Sequence, residues 1–295
     1  MKKAQNGINK NLLILHFTVF IWGFTGILGQ LISIAAVPLV WYRVLIAAAS
    51  LWLYFVVNRI PFRMSRNSLL KLIGTGGIVG AHWILFFLSI KISTVSVTLV
   101  CLSSVTLFTA IIEPLVNRRR IAVAEILAGT LIISGISMIF AFESRYTLGI
   151  ITGLASALAA SLFSIINSRL IRSRPAPVIA FWEMLGAGLW ITVWMAVANG
   201  FGAQLILQRS DLFYLLVLGT ICTAAAYVAG VSVMREISPF RVALITNLEP
   251  VYGILLAFAL FGDQEKMTAG FWFGSILILG TIFIFPYARR KLTKG

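Results

Sequence analysis

Apolar residues run along this chain in ten stretches of about twenty, near the length a helix needs to cross a hydrocarbon core. Taking each run as one helix predicts spans at about 12–34, 38–58, 69–90, 94–113, 121–140, 147–168, 177–198, 212–234, 239–260 and 267–286. The pattern therefore predicts an all-α integral membrane protein with ten transmembrane helices. The longest gap, 199–211, is about a dozen residues and leaves no room for a soluble domain. The first run is long enough to span and no small-residue cleavage site closes it, so it is expected to be its own insertion signal.

Composition agrees with the pattern. Apolar residues make up 60% of the chain and charged residues 11%, with a mean hydropathy of +0.98. Soluble domains carry about twice that charge. The formal charge of +15 suggests nucleic acid only until the basic residues are located. With the N-terminus in the cytoplasm, 19 of the 24 lysines and arginines fall on that side: at Lys2, Lys3 and Lys10, from Arg59 to Lys71, at Arg118 to Arg120, from Arg169 to Arg174, at Arg235 and Arg241, and from Arg289 to Lys294. Lys91, Arg145, Arg209 and Lys266 fall on the other side, and Arg43 inside a helix. That bias predicts a multi-pass protein of the cytoplasmic (inner) membrane with both termini cytoplasmic. The expected partner is the lipid bilayer, with anionic headgroups beside the basic loops, and no nucleic acid. Cys101 and Cys222 fall inside spans and are expected as free, packed thiols.

The chain also repeats itself. At an offset of 145, Gly74 pairs with Gly219, Thr75 with Thr220, Ser93 with Ser238, Gly129 with Gly274 and Gly135 with Gly280. A shift near 140 aligns helices one and two with six and seven and pairs Arg43 with Glu183. Two halves follow, 1–142 and 143–295, each with five spans. An odd number of spans turns the second half upside down relative to the first. Two inverted five-helix repeats are a mark of secondary transporters, whose substrate site lies near the midplane between the halves.

Four stretches carry a family likeness: FIWGF at Phe20 to Phe24, WYRVLIAA at Trp41 to Ala48, ISPFRVALITNLEPVYGILLA from Ile237 to Ala257, and the glycine-spaced last helix. With them the chain resembles the EamA-like branch of the drug/metabolite transporter superfamily. The resemblance covers nearly the whole chain and implies ten helices in two five-helix halves. It also implies export or exchange of small metabolites, with amino acids and related compounds frequent among bacterial members. The family's proline in the ninth helix matches Pro250. The corresponding place in the fourth helix is near Ser104, with no proline, so the halves are not expected to kink alike.

Candidate site residues are polar groups at bilayer depth. A carboxylate there costs roughly 3 kcal/mol to insert. Glu249, about ten residues into its span, is a candidate proton carrier or counter-charge for a substrate amine, or a permanently paired structural acid. Asn247 and Pro250 beside it are candidates for binding, or for packing and bending. Arg43 and Glu183 are expected about 8 to 9 Å inside opposite faces, too far apart to pair. Either is a candidate gate or a ligand for one end of a zwitterion, or an anchor to backbone. His82 shares a face with Thr75 and Ser89 and has Tyr227 as its repeat mate; it is a candidate relay, or a packed histidine. Trp22, Gly26 and Gln30 line one face of helix one, and Ser156, Ala160, Ser164 and Asn167 one face of helix six. Trp22, Trp41, Trp83, Trp182 and Tyr227 are candidate walls of an aromatic cavity or interfacial anchors.

Enzyme chemistry finds no support. The two histidines, His16 and His82, and the two aspartates, Asp211 and Asp263, form no H-x-x-x-H, and the chain has no cysteine cluster, G-x-S-x-G elbow or P-loop. No metal, cofactor or direct ATP drive is expected. The reading is a secondary active transporter, expected to export its substrate and to be proton-coupled through Glu249. Its midplane cavity is expected between helices one to four and six to nine. Helices five and ten, glycine-spaced and poor in mid-span charge, are expected as packing or homodimer surfaces. A passive uniporter or channel, and a non-transporting membrane scaffold, are the alternatives.

Overall fold

The computed structural model describes the backbone of residues 2–61, 64–118 and 123–292, with side chains over 10–61, 64–118 and 127–284. The basic residues read at Lys2 and Lys3, Arg63, Arg119 and Arg120, and from Arg289 to Lys294 lie outside the described side chains.

Ten membrane-crossing elements follow one another among the described residues: α1 (Lys2–Leu31), α2 (Ala36–Asn58), α3 (Arg66–Ile92), α4 in two segments (Val95–Leu102 and Val105–Val116), α5 (Val123–Phe142), α6 (Thr147–Leu170), α7 (Ala176–Val197), α8 (Arg209–Gly219 and Ala226–Val233, joined by a π-helical turn, Thr220–Ala225), α9 in two segments (Pro239–Thr246 and Leu248–Phe261) and α10 (Ala269–Leu292). Local chemistry sets several ends. Thr94 and Ser238 accept from the backbone N–H of Val97 and Arg241, three residues on, and cap α4 and α9. Pro239 follows at the first position of α9, where its missing N–H has no intrahelical role. Large apolar side chains such as Leu13, Val57, Leu148, Val197, Phe213 and Leu255 stay exposed, as a lipid-facing surface requires.

Packing follows the inverted repeat. α3 packs on α6 and α7 of the other half, as its mate α8 packs on α1 and α2. α1 packs on α9, as α6 packs on α4. The mated pairs α2 with α7, α4 with α9, and α5 with α10 pack directly along their lengths. Small residues allow the closest approaches. A Cβ at Gly186 of α7 would stand 2.8 Å from the Cα and carbonyl oxygen of Ile73 in α3. One at Gly274 of α10 would stand 2.7 Å from the carbonyl oxygen of Gly135 in α5.

One expectation is corrected here. α4 breaks at Ser103 and Ser104 although it has no proline there, so both halves interrupt the mated helix at mid-depth. The α4 break is a tightening: Ser103 N divides its bond between Leu99 O and Val100 O, each at 3.2 Å, and Ser104 N donates to Cys101 O at 3.1 Å, three residues back rather than four. In α9, where Pro250 cannot donate, Asn247 takes part in the break. Its side-chain amide donates to Ala243 O at 2.7 Å and to Thr106 Oγ1 of α4 at 2.6 Å, which ties the two broken helices together.

Candidate substrate cavity

The interrupted helices leave a cavity between the halves. α1, α2, α3, α4, α6, α8 and α9 line it. α7 does not, contrary to expectation, because the Gly76 and Gly186 crossing seats it tightly behind α3. α5 and α10 pack on each other away from the cavity.

Arg43 of α2 is 2% exposed and held from three sides. Its Nε donates to Thr223 Oγ1 at 2.6 Å, and its Cζ lies 4.1 Å over the Trp83 ring and 5.4 Å from that of Phe87. The π turn of α8 prepares the first contact: the Thr223 hydroxyl donates to Leu218 O, five residues back, at 2.6 Å, which leaves its oxygen free to accept from the guanidinium. Nη1 of Arg43 is buried and has no partner. Across the cavity Glu249 opens the second segment of α9, where a helix N-terminus favours a negative charge. It is 5% exposed, and its carboxylate makes no hydrogen bond or ion pair among the described residues. The two charged groups line the same hollow but stand beyond ion-pair contact.

Rings wall the space between them. Trp22 lies over Gly230, where a Cβ would come within 2.8 Å of the indole, so the glycine of α8 makes room for it. Trp83, Phe86, Phe163 and Tyr227 complete the apolar wall. His82 lines the cavity too. Its Nδ1 bonds Ser156 O at 3.0 Å and stands 2.8 Å from Ser156 Oγ, which donates back to His82 O at 3.0 Å. With that hydroxyl committed, the consistent assignment has Nδ1–H donating to Ser156 O and Nε2 unprotonated. The hollow can hold a small molecule with an anionic group, a cationic group and an apolar body.

The structure brings six of the expected residues to the cavity wall: Trp22, Arg43, His82, Trp83, Tyr227 and Glu249. Six others lie off it. Gly26 packs on Val95, Trp182 against Phe181, and Asn247 is spent on the tie to α4. Pro250 is buried at the start of the second α9 segment. Asn167 and Glu183 sit one layer behind, hydrogen-bonded to Tyr227 at 3.0 and 2.8 Å. Trp41 is also elsewhere, donating to Thr192 Oγ1 at 2.9 Å. Thr223 was not anticipated, although it lies one turn before Tyr227, a spacing that shares a helix face.

The two ends of the bundle differ. The cavity runs toward the end where α8 passes into α9, reaching Met234 and Val242, and adjoins a polar hollow lined by Arg169, Arg172, Arg235 and Glu236. The start of α1 lies at this end, since Asn11 donates to Glu236 at 2.7 Å. The other end is laced shut. Asp211 accepts from Ser33 N at 2.7 Å and Ser33 Oγ at 2.6 Å, and Lys91 donates to Ile32 O. Glu265 accepts from Val95 N and Ser96 N at 3.1 and 2.9 Å, and Glu143 from Thr268 N at 2.7 Å.

Known proteins share this architecture. A protein of known crystal structure superposes over 95% of this chain and 98% of its own at a TM-score of 0.70 and 15% identity, which is a likeness of fold. The uncharacterized inner membrane transporter YicL of Salmonella typhimurium is 28% identical over 146 residues. That match takes in 48% of this chain and 46% of the relative, so it spans about half of each. The EamA-like transporter family matches twice, over residues 9–141 and 147–286, one match to each group of five helices. The chain is a multi-pass membrane protein that belongs to the EamA-like transporter family.

Proposed function

We propose that this protein is a secondary active transporter that exports a small metabolite, such as an amino acid or related compound, across the cytoplasmic membrane by alternating access. The halves 1–142 and 143–295 rearrange around the midplane cavity, and a proton gradient drives the cycle. The carrying observation is that an unpartnered guanidinium nitrogen of Arg43 and an unpartnered carboxylate of Glu249 face one aromatic-walled hollow. A zwitterion would satisfy both at once, its carboxylate at Arg43 and its ammonium at Glu249. The distribution of basic residues supports this orientation, with the termini and the open end on the cytoplasmic side. The substrate then loads from inside, as an exporter requires.

The test is counterflow in proteoliposomes with radiolabelled amino acids and amines, with and without a pH gradient. The expected result is trans-stimulated uptake that the gradient accelerates. It should fall about tenfold or more in Arg43→Gln and Glu249→Gln, since a hydrogen bond to a charged group contributes roughly 1.5–3 kcal/mol. Flux without trans-stimulation would mean a passive uniporter or channel. No flux, together with no metabolite that raises the melting temperature, would mean a scaffold.

A further inference from the structure

Behind the aromatic wall lies a second polar cluster that the cavity chemistry leaves unused. Glu183 of α7 is fully buried. Its Oε2 accepts from Tyr227 Oη at 2.8 Å and from Asn167 Nδ2 at 3.2 Å, and the same amide donates to Tyr227 Oη at 3.0 Å. Its Oε1 has no partner, and neither has Asn167 Oδ1. Three buried carboxylates near the ends of the bundle are met by donors: Asp211 by Ser33 and Gln208, Glu265 by two backbone N–H groups, and Glu143 by Thr268 N and Arg145. Glu183 stands at mid-helix with no cation bonded to it among the described residues.

We propose that the Glu183, Asn167 and Tyr227 cluster is the binding site for the proton that drives transport. A buried ionised carboxylate with one bare oxygen is among the costliest arrangements a membrane interior can hold, and a proton removes most of that cost. The ligand is a proton rather than a metal ion, because hard cations take about six oxygens and only two here lack partners. Tyr227 connects the site to the cavity, since its ring lines the hollow while its hydroxyl reaches Glu183. The transfer balances. A hydronium ion in the cavity gives a proton to the remaining lone pair of Tyr227 Oη and is left as water, as the tyrosine's own O–H bond breaks and a new O–H bond forms at Oε2, leaving the tyrosine neutral and the acid uncharged.

The helices packed on α7 carry few other titratable groups through the middle of the membrane. Arg43 from α2 is engaged with Thr223 and Trp83, His82 from α3 is committed to Ser156, and Cys222 from α8 is a free thiol. Tyr227 is the one of these that hydrogen-bonds the carboxylate. Loading at Glu183 deepens the carrier reading and rests on it. Glu249 is thereby left to meet the substrate.

Infrared spectra of the reconstituted full chain, recorded across pH with no substrate, test the site. The expected result is a protonated-carboxyl band that disappears as pH rises, is missing in Glu183→Gln and is kept in Glu249→Gln. In Tyr227→Phe the band should shift in frequency, because one hydrogen bond to the acid is gone. This second variant decides the matter even where Glu183→Gln does not fold. A band unchanged in Glu183→Gln, unmoved in Tyr227→Phe, or abolished by sodium chloride at fixed pH would overturn the assignment. The readout needs no transport, so wild-type protein that shows the band but no counterflow would count against the carrier reading alone.

Discussion

Trp83 and Tyr227 meet edge to face with their ring centroids 5.8 Å apart. The contact joins α3 to α8, mates in the inverted repeat, and it joins the two charged groups that the sequence pairs at a shift of 140. Arg43 rests on one ring and Glu183 hydrogen-bonds to the other residue's hydroxyl. Movement of α3 past α8 would therefore act on both charges together, which a carrier needs if substrate and proton are to be coupled.

Arg43 should depend on that ring for its position. A desolvated guanidinium over an indole gains about 2 kcal/mol. Trp83→Leu removes the face and is expected to raise the metabolite concentration for half-maximal counterflow roughly tenfold, while Trp83→Phe keeps most of the affinity. Equal, small effects from the two variants would show that Thr223 alone orients the arginine.

Much of this was legible in the chain. Run length gave the helices, the glycine and serine register gave the inverted halves, and depth along each span singled out Arg43, His82, Glu183 and Glu249. Three features were not. The α4 break is made by backbone bonds that reach three residues back at Ser103 and Ser104, and serines at mid-span carry no unambiguous bend signal. The withdrawal of α7 from the cavity depends on which face its glycines present. In lipid both faces of a helix are apolar, so the periodicity that marks a buried face in water is weak. The π turn of α8 shows itself only in the hydrogen bonds it makes.

The α3–α7 crossing that holds Glu183 behind the wall should tolerate no side chain. A Cβ at Gly186 would meet backbone atoms of Ile73, which cannot swing aside. Gly186→Ala is expected to destabilise the protein by about 1–3 kcal/mol, the usual range for overpacking. Gly74→Ala, with nothing within 4 Å of the new methyl, should melt like the wild type. Thermal unfolding in detergent checks both, and a Gly186→Ala protein of normal stability would mean the helices do not cross this closely.

The broken helices cap each other, and this gives the last prediction. Glu265, just past the end of α9, accepts from the first N–H groups of α4, while Glu113, near the end of α4, accepts from Phe240 N at 3.2 Å in the first turn of α9. Because the halves are inverted, the two contacts lie at opposite ends of the bundle. Each is a carboxylate on a helix N-terminus, a contact that contributes about 1 kcal/mol. The Glu113 cap is formed at the end that is open here, so it does not block the path, whereas the Glu265 cap lies at the end that is laced shut and must be released for that end to open. Glu265→Gln keeps the size and removes the charge. It is expected to shift the balance by about 1 kcal/mol, or roughly fivefold, toward the state open at the end that is laced shut here. Glu113→Gln should leave the balance unchanged. The measurement is the rate at which a membrane-impermeant maleimide, added from the laced side, labels a cavity cysteine introduced as Ser164→Cys, with Cys101 and Cys222 replaced. Glu265→Gln should speed labelling and Glu113→Gln should not change it. Equal effects from the two variants would mean that the caps hold the helix ends without governing access.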